Sequence, residues 1–344
     1  MKNLLKLFIT YQLKDTKSRQ KPGGFTLLEL LVGLILAFLV ITPLLGFMIS
    51  IMTQDRQEQA KAASEQEIQS ALNYISRDVD QAIFIYDGNG LTEIAAQLPT
   101  VTSGTPVLVF WKRKFLPKSL PVRGAADCSD TTRCDDAFVY ALVAYYQITG
   151  CTNNNWSCTT RIGRVEMRDR LLDVNNPPGG GNPPAVLPNQ DRSPGFQLFN
   201  LAQPNASGLE EQMNNWGEDT SPENEKVGDI NNNKLEILID YIDQSPGVPV
   251  ASCSTAPRKV GEPDYLNRQV PPTSLTSPTG TNSFYACVDN DKTIAQVFIR
   301  GNALARIRPK QNPPAYVSSQ QAYFPRASIQ VQGRGLVNLT PGGS

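Results

Sequence analysis

The chain has 344 residues with 32 basic and 32 acidic side chains, so no global field draws it to nucleic acid or to an anionic polymer. It contains no histidine, which removes Ser-His-Asp triads, Cys-His pairs and histidine-metal sites. With no paired-carboxylate motif and no phosphate-cradling glycine loop, the composition predicts a protein that is not an enzyme and needs no cofactor.

The N-terminus is basic: Lys2, Lys6, Lys14, Lys17, Arg19 and Lys21 stand against Asp15 alone. From Phe25 to Met52 the run is apolar and its one ionisable side chain is Glu29. That length suffices for a helix across a bilayer of roughly 30 Å. Positive residues before the first membrane segment hold that end in the cytoplasm, so the remainder is expected outside it. The small pair Gly23-Gly24 precedes the apolar run, unlike a secretory signal, whose cleavage site follows it. A cut after Gly24 would leave the helix on the mature chain. Within the run, Pro43 lacks an N–H and predicts a kink or an unwound turn, eased by Gly46. Gly33 and Ala37 form a small-xxx-small pair of the kind that lets helices approach. After Met52 the sequence turns polar, yet Ile68, Leu72, Ile75, Val79 and Ile83 recur at helical spacing. This stripe extends the helix to about residue 86 as an amphipathic segment.

Gly24, Phe25 and Glu29 together resemble the prepilin N-terminus of the type IV pilin family: glycine before the cut, phenylalanine after it, glutamate four residues on. Residues 38–48, 55–62, 65–71 and the Val-Leu-Val-Phe-Trp-Lys run at 107–112 are similar to pseudopilins of cyanobacterial hormogonium polysaccharide secretion. The resemblance implies cleavage between Gly24 and Phe25 by prepilin peptidase and N-methylation of Phe25. It also implies an inter-subunit pair between Glu29 and the new terminal ammonium. Pro43 lies close to, but not at, the place where related pilins break this helix. Partners implied are other pilins or pseudopilins and an inner-membrane assembly platform, with the exported polysaccharide as a further contact of the head. The implied location is the inner membrane, single-pass, with the C-terminal head in the periplasm or in a periplasmic or surface filament. A minor subunit of a type II secretion pseudopilus and an uncleaved single-pass ligand-binding protein are the alternatives.

Asp87-Gly88-Asn89-Gly90 reads as a turn closing the helical region. Beyond it, β-like runs occur at 107–112, 137–148, 161–167, 235–242, 283–288, 293–300 and 328–331, with clear alternation in Phe138, Tyr140, Leu142 and in Leu235, Ile237, Ile239, Tyr241. The expected fold is α+β, pilin-like: a long N-terminal transmembrane and amphipathic helix packed on an antiparallel sheet, with loop-rich insertions. The layout is a cleaved leader over 1–24, a membrane or filament-core helix over 25–52, an amphipathic helix over 53–86 and an extracytoplasmic β-rich head over 87–344. Residues 173–233 are rich in Pro, Gly and Asn and predict a mobile insertion or a linker between two β subdomains.

Six cysteines, Cys128, Cys134, Cys151, Cys158, Cys253 and Cys287, lie on the side assigned outside the cytoplasm, where an even count reads as three disulfides. Fifteen connectivities are open. Pairing of sequence neighbours is preferred because short hydrophilic loops such as 151–158 need a clamp. The run Asp229-Ile230-Asn231-Asn232-Asn233 opens like a calcium loop, with Asp240 twelfth, but Lys234 stands where the turn glycine belongs and the twelfth residue is not Glu. An Asn-rich turn is the competing reading, so no metal is assigned. In the polysaccharide context that the resemblance implies, Trp111, Trp156 and Trp216 invite a sugar-stacking reading, but Trp111 sits in an apolar strand and reads as core, and Trp156, in a polar loop between cysteines, is one ring that does not make a carbohydrate site.

Overall fold

The computed structural model describes residues 24–125, 127–151, 156–173, 186–187, 190–201, 208–218, 224–251, 253, 268–275, 282–307 and 312–335. The expected leader, except Gly24, and the Pro- and Gly-richest part of the insertion, 174–185, lie outside these residues. The chain divides into two units, Met1–Asp55 and Arg56–Ser344.

Helix α1 spans Leu27–Val79. Its first part is long and apolar enough to cross a membrane. Every large apolar side chain from Phe25 to Met52 is exposed on the folded chain. Pro43 lies inside the helix, which continues through it without an unwound turn. Of the two expectations for Pro43, a kink or an unwound turn, the unwound turn is the one corrected. Proline forfeits only the bond to the Leu39 carbonyl, and the surrounding rungs carry the helix on. Thr42 adds a back-bond from its Oγ1 to the Phe38 carbonyl at 2.8 Å.

In the second unit, α1 buries Ala60, Ser64, Ile68, Ala71, Leu72, Ile75, Asp78 and Val79, a stripe at helical spacing. Fully burying an Ile, Leu or Val contributes about 1.5–3 kcal/mol, so Ile68, Leu72, Ile75 and Val79 anchor this segment. The helix stops at Val79 rather than near residue 86. Ala82–Ile85 form strand β1, all four residues buried. Ile83 keeps the helical spacing, but a continuous β-branched and aromatic run buried on both faces suits a strand better. The Asp-Gly-Asn-Gly segment is likewise not a simple turn. Asp87 caps helix α2, Gly88–Ile94, its Oδ1 accepting from the Gly90 N–H at 2.9 Å.

A five-stranded antiparallel sheet follows chain order: β1, β2 (Gly104–Pro121), β3 (Cys134–Ile148), β4 (Thr160–Arg168) and β5 (Leu235–Ile242). Strand alternation gives it two buried faces. Phe110, Lys112, Tyr145 and Arg164 share the face toward α1, where Asp78 meets three of them. Trp111 projects from the other face, edge-on to Phe196, Phe199 and Trp216. Phe196 and Trp216 are at most 1 % exposed. The segment expected to be a mobile insertion therefore supplies, in its described residues 190–201 and 208–218, the cover of the sheet's second face. The few aromatics of these described residues bury enough area to hold them on the sheet, whatever the average composition of the segment. Helix α3, Leu209–Asn214, belongs to this cover and accepts a bond from the Tyr86 hydroxyl at the Met213 carbonyl, 2.6 Å.

A second antiparallel sheet has the order β6 (Gln269–Val270), β7 (Phe284–Asp289), β8 (Ile294–Arg300) and β9 (Arg326–Gln332). Its inner residues join the same apolar cluster as α1 and the first sheet. Gly301, just after β8, is where this sheet meets the helix closely. A Cβ there would lie 2.8 Å from Ile68 Cδ1. Helix α4, Ala303–Ile307, then carries Arg306 to α1, where its Nε donates to Ser64 Oγ at 2.9 Å and its Nη2 pairs with Glu67.

Three disulfides join Cys128 to Cys134, Cys151 to Cys158 and Cys253 to Cys287, the pairs of sequence neighbours.

Candidate functional site

The first candidate region is the start of α1. Thr26 caps it: Thr26 Oγ1 accepts the Glu29 backbone N–H at 3.2 Å, and the Thr26 carbonyl accepts the N–H groups of Glu29 and Leu30. Thr26-Leu-Leu-Glu29 has the spacing of a capping box, in which an acid three residues after the cap sits over unpaired N–H groups at the positive end of the helix. Sequence reading gave weight to Gly24, Phe25 and Glu29 and missed Thr26, although the spacing was its signal. The Glu29 carboxylate is exposed and has no hydrogen-bond or ion-pair partner among the described residues. Gly24 has open space where a Cβ would stand. A carboxylate at the head of an exposed apolar segment is costly in lipid, and such groups usually pair with a cation.

The second region is a charged seam between the last turn of α1 and the first sheet. Asp78, only 7 % exposed, accepts from Lys112 Nζ at 2.5 Å, Arg164 Nε at 2.7 Å and Tyr145 Oη at 2.8 Å. Glu166 pairs with Lys112 at 2.8 Å and also with Lys114 and Arg164. Two acids and three bases thus satisfy one another in a seam laid on β2, β3 and β4, at the floor of an open cleft of about 600 Å³ that Tyr74, Arg77 and Gln81 also line. Sequence reading passed over all of them. The available signals were Asp78 within the apolar stripe, and the pairs Lys112/Lys114 and Arg164/Glu166 spaced by two on β2 and β4, the strands on either side of β3.

Burial works against the charged form of Glu166, but Lys112, Lys114 and Arg164 outweigh it and hold the carboxyl far below its ordinary 4.5. Burial also disfavours the Arg164 cation, and Asp78 above all overcomes that, raising its affinity for the proton. Burial first, then the Asp78 charge, pushes the Tyr145 hydroxyl well up. A carboxyl depressed on folding lends stability that is complete above its unfolded value and is lost as pH falls toward the folded one. The affected window lies below pH 4.5. We expect Glu166→Gln to flatten the stability-versus-pH curve in that window, measured by denaturant titration at a series of acid pH values. A slope identical to the parent's would refute the assignment.

The calcium-loop residues do not converge. Asp229 Oδ1 caps a short turn through the Asn231 N–H at 2.9 Å, Asn231 Oδ1 accepts from the Thr100 N–H at 2.7 Å, and Asn233 Nδ2 donates to the carbonyls of Pro194 and Ile230. Asp240 is held elsewhere, by the Ser157 N–H at 2.8 Å and the Ser157 hydroxyl at 2.6 Å. Among the described residues no group of three or more acidic, cysteine or histidine side chains is placed to hold a metal. Of the tryptophans, Trp111 and Trp216 are core residues beyond a ligand's reach, whereas Trp156 is 42 % exposed.

Geometry therefore divides the chain's chemistry in two: the seam is internally satisfied, whereas Glu29 and the apolar face around it are not. Comparison with family models, with curated proteins and with solved structures finds no match for this chain.

Proposed function

We propose that this protein is a pseudopilin or minor pilin, a structural subunit of a type IV pilus-like assembly. The observation that carries the reading is the α1 surface from Phe25 to Met52. All its large apolar side chains are exposed, and its one ionisable group, Glu29, is without a partner among the described residues. Such a surface calls for lipid before assembly and for sister helices after it. The order of basic leader, Gly24, Phe25 and Glu29 supports processing by a prepilin peptidase, with N-methylation of Phe25 keeping the new amine cationic. Glu29 of one subunit would then pair with the terminal ammonium of another.

In this reading the protein sits in the inner membrane with its disulfide-bonded head in the periplasm, and it enters a short filament through an inner-membrane assembly platform. The stretches at 38–48, 55–62 and 65–71 favour pseudopilin C of hormogonium polysaccharide secretion, hence a role in polymer export and gliding of filamentous cyanobacteria, over a type II secretion pseudopilin. The test is the mass of the membrane-extracted protein. We expect a chain beginning at N-methylated Phe25, and a Gly24→Val protein that retains its leader. Retention of Met1 to Gly24 on the native protein would reject the reading in favour of an uncleaved single-pass receptor.

A further inference from the structure

The second sheet carries a cleft of about 300 Å³, a volume at the lower end for small-ligand sites. Strand register builds it. Tyr285, Phe298 and Ser328 stand opposite one another across β7, β8 and β9, and two residues further along β8 and β9 Arg300 stands opposite Arg326. Residues two apart on a strand share a face, so an aromatic row and a cationic row lie side by side. The Tyr285 and Phe298 rings are stacked, with centroids 4.6 Å apart and planes 3° from parallel. Phe298 is the more exposed of the two.

Among the described residues the cationic row is under-compensated. Like charges directly opposite in an antiparallel pair repel, and among the described residues one carboxylate, Asp243, pairs with Arg300 and none with Arg326. Asp243 Oδ2 accepts from Arg300 Nε at 2.7 Å, and its Oδ1 is occupied by the Ser245 N–H and hydroxyl. Arg300 is 4 % exposed, yet its Nη2 has no hydrogen-bond partner among the described residues. Arg326 is exposed, makes no ion pair among the described residues, and lies 5.2 Å over the Tyr316 ring. No described acidic side chain lines the cleft, whereas Asn282 and Ser328 do. Guanidinium groups favour planar, bidentate recognition of carboxylates, and an aromatic face favours a flat ring.

The geometry points to a binding site for a carboxylate carried on a six-membered ring, with Arg326 taking the acid, the buried Arg300 beside it adding positive charge, Phe298 the ring face, and Asn282 and Ser328 the ring's polar substituents. The site belongs to the head and does not depend on the assembly reading. It is tested on the full chain in neutral detergent by ligand-observed NMR and calorimetry, with sodium glucuronate, sodium benzoate and uncharged glucose as probes. We expect saturable millimolar binding of at least one carboxylate and none of glucose. Arg326→Gln is expected to weaken binding about tenfold or more, as for loss of a charge-assisted contact. Phe298→Leu, with the same melting temperature as the parent, should weaken it as well. Preference for glucuronate assigns a hydroxylated ring and preference for benzoate an aromatic acid, and either supports the site. No saturable binding of either acid, equal binding of glucose, or undiminished affinity in Arg326→Gln would overturn it.

Discussion

Replacing Asp78 by alanine is expected to destabilise the head by about 3 kcal/mol, because removing one partner of a buried ionic group leaves the others under-compensated. Lys112, Arg164 and Tyr145 all point at Asp78 within 2.8 Å, so the substitution leaves two cations to share Glu166 alone and a hydroxyl without its acceptor. Denaturant unfolding followed by the fluorescence of the buried Trp111 and Trp216 measures it. Because a large loss alone could reflect a cavity, the sharper readout is a cycle with Arg164→Ala. Groups in one ionic network couple by about 0.5–3 kcal/mol. Strictly additive losses would mean that the seam is not a network.

Glu29→Leu is expected to act on assembly instead of stability. The carboxylate makes no contact among the described residues and sits on an exposed surface, so leader removal and membrane insertion should proceed as in the parent. Incorporation into a pilus-like filament should fall roughly tenfold or more. An ion pair at 4 Å in surroundings of effective dielectric 20 is worth about 4 kcal/mol before desolvation is subtracted, and even a third of that is a tenfold change. The measurement is the fraction of purified variant entering filaments in a reconstituted system alongside the parent. Normal incorporation would remove Glu29 from the proposed assembly contact and leave the cap at Thr26 as its only local setting.

Much of this architecture was readable because it depends on local pattern. Period-two alternation marked the strand at 235–242, and the 3–4 spacing of Ile68, Leu72, Ile75 and Val79 marked the buried stripe of α1. Errors came where two local rules competed. Ile83 continued the helical spacing, but the run Ala82–Ile85 is apolar at every position and is taken by the sheet edge. Asp87-Gly88-Asn89-Gly90 contained turn residues, yet Asp87 is also a helix cap.

The remaining misses depend on contacts remote in sequence. Nothing near Trp111 announces that Phe196, Phe199 and Trp216 will cover it, and composition averaged over 173–233 hides those rings among prolines and asparagines. The seam is similar: Lys112, Arg164 and Glu166 look like solvated strand residues until the end of α1 is laid on them. The candidate residues at the start of α1 were legible because their motif is contiguous. Those of the second sheet's cleft were not, since the pairing of Arg300 with Arg326 exists only through register.

The first sheet's strand order bears on how the head is made. Its five strands lie side by side in the order of synthesis, so each new strand finds its neighbour already present, and only the β4–β5 pairing has to close a long intervening segment, from Arg168 to Leu235. The bond from Arg164 to Asp78 closes a span of 86 residues, so the helix end must wait for β4 to emerge. Until then the Asp78 end of α1 is without its partners, and the stripe is fully covered only once β8 has followed and brought Gly301 against Ile68.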